Sequence, residues 1–272
     1  MRRPLDVLAV SFDLDGTLYA GGRVLPGALA AVRSVVSAGM KALYLTNASG
    51  RTREEIRADL EEMGFPVGEQ AVWTSATTTA AWLAQRAIGS VAMLGTQGLR
   101  IELEAVGMAV VGQADPCDAL VVGLDRGFDF SRQRPIDDGL ADRLGRVEAL
   151  LVVCNRDDAF PGPDGNPQLG CGRLAALVEH QCGRKADAAP GKPQPDMLLD
   201  ASAAHGMDPR RVLVVGDSAV SDAGMAHAAG APCALVPASA ALASSQAPET
   251  ADAFIMPGIW ALPELLGLDA VP

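Results

Sequence analysis

The run Phe12-Asp13-Leu14-Asp15-Gly16-Thr17-Leu18 places two carboxylates two residues apart at the end of an apolar stretch. Aspartates at i and i+2 on leaving a strand can point to the same side. Unpaired they repel, and a divalent cation makes the arrangement favourable. Gly16 permits a sharp departure of the chain and exposes backbone N–H groups to an anion. An isolated Asp-x-Asp is common in acidic turns, but Asp-Leu-Asp-Gly-Thr-Leu is far more specific. Three further groups follow. Thr46-Asn47 offers a hydroxyl and an amide to a phosphate oxygen. Gly191-Lys192-Pro193 offers an ammonium ahead of a helical segment, and Gly216-Asp217-Ser218 with Asp222 offers more carboxylates. Taken singly, Thr46-Asn47 reads as a turn, Lys192 as a solvated side chain and Asp217 as a helix cap. The ordered set of four reads as a site for an anion and a cation together.

Strands and helices must bring these groups into one place. Residues 6–12 form a near-continuous apolar run, expected as a strand buried on both faces. Residues 26–38 carry helical spacing and close at Gly39. Residues 40–45 read as a strand, and 51–63 as a charged amphipathic helix ending at Gly64. Further strands are expected at 71–74, 90–94, 119–123, 149–154, 211–215 and 231–236. Helices are expected at 76–87, 98–106, 135–146, 172–181, 195–205 and 221–229. This alternation means a parallel α/β sheet, with ligands at the carboxyl ends of the strands. Some eight or nine strands exceed one sheet of this size, so two α/β domains are expected. Residues 161–167 read as a Gly/Pro-rich turn region and 238–251 as a loop. Gly170-Cys171-Gly172-Arg173-Leu174-Ala175 matches a loose dinucleotide-binding pattern. It does not directly follow a strand, and its glycines are expected to shape the start of a helix instead.

Composition narrows the function class. The chain has 272 residues, 49% of them hydrophobic and 20% charged, enough for a substantial core. The net charge of -11 argues against a nucleic-acid polymer as partner, which needs clustered Lys and Arg. A small anionic ligand stays open, because one local site can outvote the global charge. Five cysteines without a Cys-x-x-Cys read as buried or incidental thiols, and three histidines show no metal spacing. No stretch approaches the ~20 apolar residues of a membrane span, and the N-terminus does not read as a secretory signal. A cytoplasmic protein without a membrane partner is the expectation.

The set of four, in this order, resembles the haloacid dehalogenase-like (HAD) hydrolase superfamily. Asp13-Leu14-Asp15-Gly16-Thr17 is similar to its first motif, Thr46 to the second, Lys192 to the third, and Gly216-Asp217 with Asp222 to the fourth. Several runs resemble the NagD-like, p-nitrophenylphosphatase subgroup. They are Thr46-Asn47-Ala48-Ser49, Thr74-Ser75-Ala76, Val121-Val122-Gly123-Leu124-Asp125-Arg126, Asn155-Arg156-Asp157 with Phe160-Pro161, and Gly191-Lys192-Pro193. The resemblance implies a Rossmann-like parallel-sheet core of residues 1–77 and 185–272, with a large α/β cap inserted at 78–184. Two departures stand out. Val220 and Ser221 fill a stretch that often reads Asp-Thr, and Arg156 replaces a common Pro.

The resemblance also implies a mechanism. Asp13 would be the nucleophile of a phosphatase that passes through an aspartyl-phosphate, and Asp15 the general acid and then base. Asp15 speaks against a dehalogenase or a transport ATPase. Mg2+ would be held by Asp13, the Asp15 carbonyl and Asp217, with Asp222 acting through a water or orienting the others. Thr46, Asn47, Lys192 and N–H groups at Leu14 and Gly16 would bind phosphate. The partner would be a small phosphorylated metabolite. Asn155, Arg156, Asp157 and Asp158, after a cap strand, are the residues expected in the leaving-group pocket. A homodimer through the cap is compatible with the resemblance. A phosphomutase and a non-catalytic sensor of phosphorylated metabolites are the alternatives.

Overall fold

The computed structural model describes residues 6–131, 133–161, 167–237 and 253–269. The central sheet has six parallel strands in the spatial order Phe254–Ile255, Cys233–Leu235, Val212–Gly216, Ala9–Phe12, Lys41–Thr46, Val72–Thr74. The strand period of two decides which helices each residue meets. Val10, Phe12, Tyr44, Leu213 and Val215 face the helices Ala28–Ser37 and Arg53–Glu62, where Val32, Val35, Ile56 and Leu60 are buried against them. Ala9, Leu43, Leu45, Val212 and Val214 face the helices Asp196–Ala204 and Asp222–Ala229, which supply Met197, Leu198, Met225 and Ala226. Every residue of Ala9–Phe12 and Val212–Gly216 is buried, as a strand with helices on both faces requires.

A second parallel sheet of four strands runs Ala109–Val110, Ser90–Leu94, Ala119–Val122, Leu150–Val153. Its core is separate. Leu99, Leu103, Leu140, Leu144, Leu174 and Val178 pack on Val91, Leu120, Val121 and Val152. The fold is thus a parallel-sheet α/β core with an added α/β cap. Helix ends follow local chemistry. The expected helix at 51–63 begins at Arg53, because Thr52 accepts from the Glu55 N–H (3.1 Å) while Glu55 accepts from the Thr52 N–H (2.8 Å). In the dinucleotide-like run, a Cβ on Gly170 would lie 2.1 Å from the Asp157 carbonyl oxygen, and Gly172 donates its N–H to that carbonyl (2.9 Å). These glycines let the helix Cys171–Cys182 start against the loop at Arg156-Asp157.

Two antiparallel hairpins, Tyr19–Ala20 with Arg23–Val24 and Ala159–Pro161 with Pro167–Leu169, were not expected from the apolar pattern. Both are too short to show periodicity. Most of the expected turn region at 161–167 and the expected loop at 238–251 lie outside the described residues. Among the described residues no helix is long and apolar enough to cross a membrane. All five cysteines are free thiols, four of them buried.

Candidate active site

The strand Ala9–Phe12 pairs with Lys41–Thr46 on one side and with Val212–Gly216 on the other. The chain fills the first side, passes through the cap, and returns to fill the second. The carboxyl end of Ala9–Phe12 is therefore where the strand order reverses, the place where open α/β sheets hold ligands. Asp13 leaves this strand, with its N–H bonded to the Val215 carbonyl (2.8 Å). Thr46 ends the neighbour on one side, and Asp217 follows the neighbour on the other.

Lys192 joins these parts. Its ammonium donates to Asp13 Oδ1 and to Asp222 Oδ1, each at 2.8 Å, with the lysine side chain only 2% exposed. Thr17 Oγ1 donates to Asp13 Oδ2 (3.2 Å). Asp222 Oδ2 accepts from the Ser218 N–H (3.1 Å). Asp13, Asp217 and Asp222 each present a carboxylate oxygen within 4.8 Å of the others. Gly16, at φ +91°, closes the turn beside them, where a Cβ would lie 2.2 Å from Asp217 Oδ2. Any side chain there would both strain the backbone and displace Asp217.

Burial dominates the electrostatics. It raises Asp13 well above the ordinary carboxylate value, opposed by Lys192 and reinforced by Asp222 and Asp217. Asp217 is pushed up to about 7 by burial and by Asp222, with Lys192 opposing. Burial pushes Asp15 up to about 6 against the pull of Lys192, Arg51 and Arg126. Burial alone would lower Lys192, but Asp13 and Asp222 outweigh it and hold the ammonium above its ordinary range. A crowded set of carboxyls, with one lysine between two of them, suits a divalent cation and an incoming phosphate.

The chain is similar to known proteins over most of its length. A haloacid dehalogenase-like hydrolase model matches residues 10–109, and a HAD-hydrolase-like model matches 189–262. Chronophin from Mus musculus is 37% identical over 231 residues, covering 81% of this chain and 77% of that one. The chain belongs to the haloacid dehalogenase-like hydrolase family. A 4-nitrophenylphosphatase from Thermotoga maritima superposes with a TM-score of 0.82 at 26% identity, covering 96% of this chain and 98% of that one. A glycerol phosphate phosphatase from Mycobacterium tuberculosis, solved in complex with magnesium, superposes with a TM-score of 0.80 at 30% identity, covering 96% and 78%. This HAD hydrolase is a phosphatase, an enzyme of phosphoric monoesters.

Within this HAD phosphatase, several expected site residues have other tasks. Asn47 spends both side-chain donors, on Asp157 Oδ2 (2.9 Å) and the Lys192 carbonyl (3.1 Å), while its Oδ1 accepts from the Lys192 N–H (2.9 Å). No side-chain donor of Asn47 remains for phosphate; it ties the lysine loop to the cap. The Gly16 N–H is also engaged, bonded to the Tyr19 carbonyl (2.8 Å). Asn155 is buried and saturated. Its amide donates to the Asn47 carbonyl (2.6 Å) and to Ser75 Oγ (3.2 Å), and its Oδ1 accepts from the Asp157 N–H (3.1 Å). Arg156 turns away to Glu179 (2.8 Å) on the helix Cys171–Cys182. Glu179 also holds Lys185 (2.9 Å) and the Ala186 N–H (2.9 Å). Burial would raise Glu179, but these partners outweigh it and hold its carboxyl at about 2. Of the four residues expected in the pocket, Asp157 is half-buried against Asn47 and Asp158 is exposed.

Sequence reasoning gave no role to three contacts that hold the cap on the loop after Thr46. Thr96 Oγ1 donates to the Gly50 carbonyl (2.5 Å), Glu102 accepts from the Arg53 N–H (2.6 Å), and Ser49 Oγ accepts from the Leu124 N–H (2.9 Å). Of these residues only Ser49 and Leu124 carry a signal, as members of runs that resemble the NagD-like subgroup.

Proposed function

We propose that this chain hydrolyses small phosphorylated metabolites in the cytoplasm, with Mg2+ as cofactor, through an aspartyl-phosphate on Asp13. The observation that carries the reading is the bonding of Asp13 to Lys192, beside Asp217 and Asp222, at the sheet's reversal point. An Asp13 carboxylate oxygen attacks phosphorus, a P–O bond to Asp13 forms, and the ester P–O bond breaks. Asp15 gives its proton to the departing alcohol. It then takes a proton from the water that attacks phosphorus, which frees Asp13 and releases phosphate. A carboxyl pushed up to about 6 is suited to both proton transfers near neutral pH.

The carboxylate cluster fits a hard divalent ion, whose charge would favour the ionised forms that burial and mutual repulsion disfavour. Asp13, Asp217 and the Asp15 carbonyl would hold it. Asp222, with Oδ1 on Lys192 and Oδ2 on Ser218, suits an orienting role. Bound there, Mg2+ would neutralise the repulsion between nucleophile and phosphate and clamp the transferring group. Thr46, the third proton of Lys192 and the Leu14 N–H would bind the phosphate oxygens, each donor worth on the order of 100-fold in rate. The cap, proposed as residues 78–184, would exclude water and shape the leaving-group pocket.

The test is phosphate release from p-nitrophenyl phosphate and a panel of phosphorylated metabolites with Mg2+, with and without chelator. The wild type turns over at least one ester, chelator abolishes the activity, and Asp13→Asn lowers it on the order of 10⁴-fold or more. Wild-type rates in Asp13→Asn, or no turnover of any ester with Mg2+, contradict the reading.

A further inference from the structure

Three cations lie close enough to Asp15 to pull its carboxyl down: Lys192, Arg51 and Arg126. Two are committed. Lys192 is bonded to Asp13 and Asp222, and Arg51 to Asp59 (2.5 Å) and the Glu55 carbonyl (3.1 Å). Arg126 has no carboxylate partner among the described residues; its guanidinium lies over the Phe160 ring, 5.4 Å from the centroid. The placement of both residues is fixed from the core. Leu124, two residues before Arg126, is anchored by its N–H to Ser49, two residues after Asn47. Phe160 sits three residues after Asp157, whose carboxylate is held by Asn47. The loop and the hairpin are thus both tied to the segment that follows Thr46. Arg126 is exposed and Phe160 half-buried, so both can be reached from solvent.

A guanidinium that faces an acidic site, is oriented by an aromatic ring and lacks an internal counter-ion is ready for an external anion. The reacting phosphate has Lys192. A second anion on the leaving group has nothing else to pair with among the cations around Asp15. We propose that Arg126 is a specificity-determining residue that selects phosphate monoesters whose leaving group carries a second oxyanion, a carboxylate or another phosphate. The inference rests on the hydrolytic reading above.

The test uses glycerate 3-phosphate and glycerol 3-phosphate, which differ only in a carboxylate against a hydroxymethyl group, with 1,3-propanediol bisphosphate as the second-phosphate arm. In the wild type, kcat/KM for at least one of the two doubly anionic esters exceeds that for glycerol 3-phosphate. In Arg126→Ala that ratio falls about 10- to 100-fold, the scale of a lost hydrogen bond to a charged group. Arg126→Lys, which keeps the charge but not the fork, recovers part of it. The two anionic arms tell a carboxylate from a phosphate. A ratio in Arg126→Ala equal to the wild-type value overturns the proposal, because an influence confined to Asp15 changes all esters alike. A wild type that shows no preference for either doubly anionic ester overturns it as well. Failure of the hydrolytic reading looks different: the wild type then turns over none of these esters, nor p-nitrophenyl phosphate.

Discussion

The core side and the cap side of the site meet at the carboxyl end of the strand Ala9–Phe12, and they are built differently. On the core side the functional groups bond to one another. Lys192, 2% exposed, holds Asp13 and Asp222 at once, and Asp217 closes the cluster over a glycine that admits no side chain. On the cap side the polar groups bond mostly to the scaffold. Asn155 is spent on Asn47 and Ser75, and Arg156, 45% exposed, is spent on Glu179. Among the described residues, the cap leaves Arg126, Phe160 and Asp158 without such a bond. A dense, mutually bonded core fixes one chemistry, because no member can change without unpairing a buried charge. A cap that ties down its own loop and leaves a few side chains open can vary its contacts without touching that chemistry. The core should govern turnover, and the cap should govern choice.

After Asp13→Asn, the largest effect should come from Asp15→Asn, which sharpens the contrast. It lowers kcat by about 10²- to 10⁴-fold with an alkyl phosphate. The loss is smaller with p-nitrophenyl phosphate, whose phenolate departs without a proton. Equal losses with both esters would remove Asp15 from leaving-group protonation.

Asn47→Ala tests the seam between the two regions. It removes three hydrogen bonds that hold Lys192 and Asp157 together, and leaves the half-buried Asp157 without its donor. We expect kcat/KM to fall by about 10- to 100-fold for every ester alike, the scale of losing a hydrogen bond to a charged group. A loss confined to some esters would place Asn47 in the leaving-group pocket after all.

Glu179→Gln should give the smallest effect and should leave turnover intact, because Glu179 bonds to Arg156, Lys185 and Ala186 and to none of the groups around Asp13. Its carboxyl is held at about 2 against an ordinary 4.5. A lowered value contributes stability that is complete above about pH 4.5 and is lost as pH falls toward 2. Arg156 and Lys185 are 45% and 83% exposed, so solvent screening cuts the contribution to roughly 1–2 kcal/mol. The difference in Tm between wild type and Glu179→Gln is therefore largest above about pH 5 and shrinks as pH falls toward 3. A constant difference across that range would deny the ion pairs their role.

How much was legible follows the same division. That the core residues gather is legible because Asp13, Thr46 and Asp217 end or follow apolar runs and parallel sheets gather strand ends, while Lys192 shows only through its short motif. The long helices and buried strands showed in their periodicity. The Tyr19–Ala20 hairpin did not, although Gly21-Gly22 marks its turn with φ +54° and +74°. The partners of the residues expected in the cap pocket are not legible in the sequence. Asn155 and Arg156 are polar and follow the strand Leu150–Val153, but polarity does not say whether a side chain meets ligand or scaffold. Arg156 turns away because Glu179, 23 residues on, faces it from a helix. An amide at a strand end, such as Asn47, can bind phosphate or hold a neighbouring loop. Only the positions of Lys192 and Asp157, 145 and 110 residues away, decide which. Such pairings are long-range and leave no local mark.

The central claim is that phosphate passes through Asp13. Its most direct test is to quench the enzyme during turnover with Mg2+ and a slow ester, reduce it with borohydride, and map the chain by mass spectrometry. An acyl phosphate on Asp13 is reduced to the corresponding alcohol, homoserine, at residue 13. The account predicts that conversion at Asp13 alone, dependent on ester and absent in Asp13→Asn. Robust turnover with no label, or a label at another residue, would contradict it.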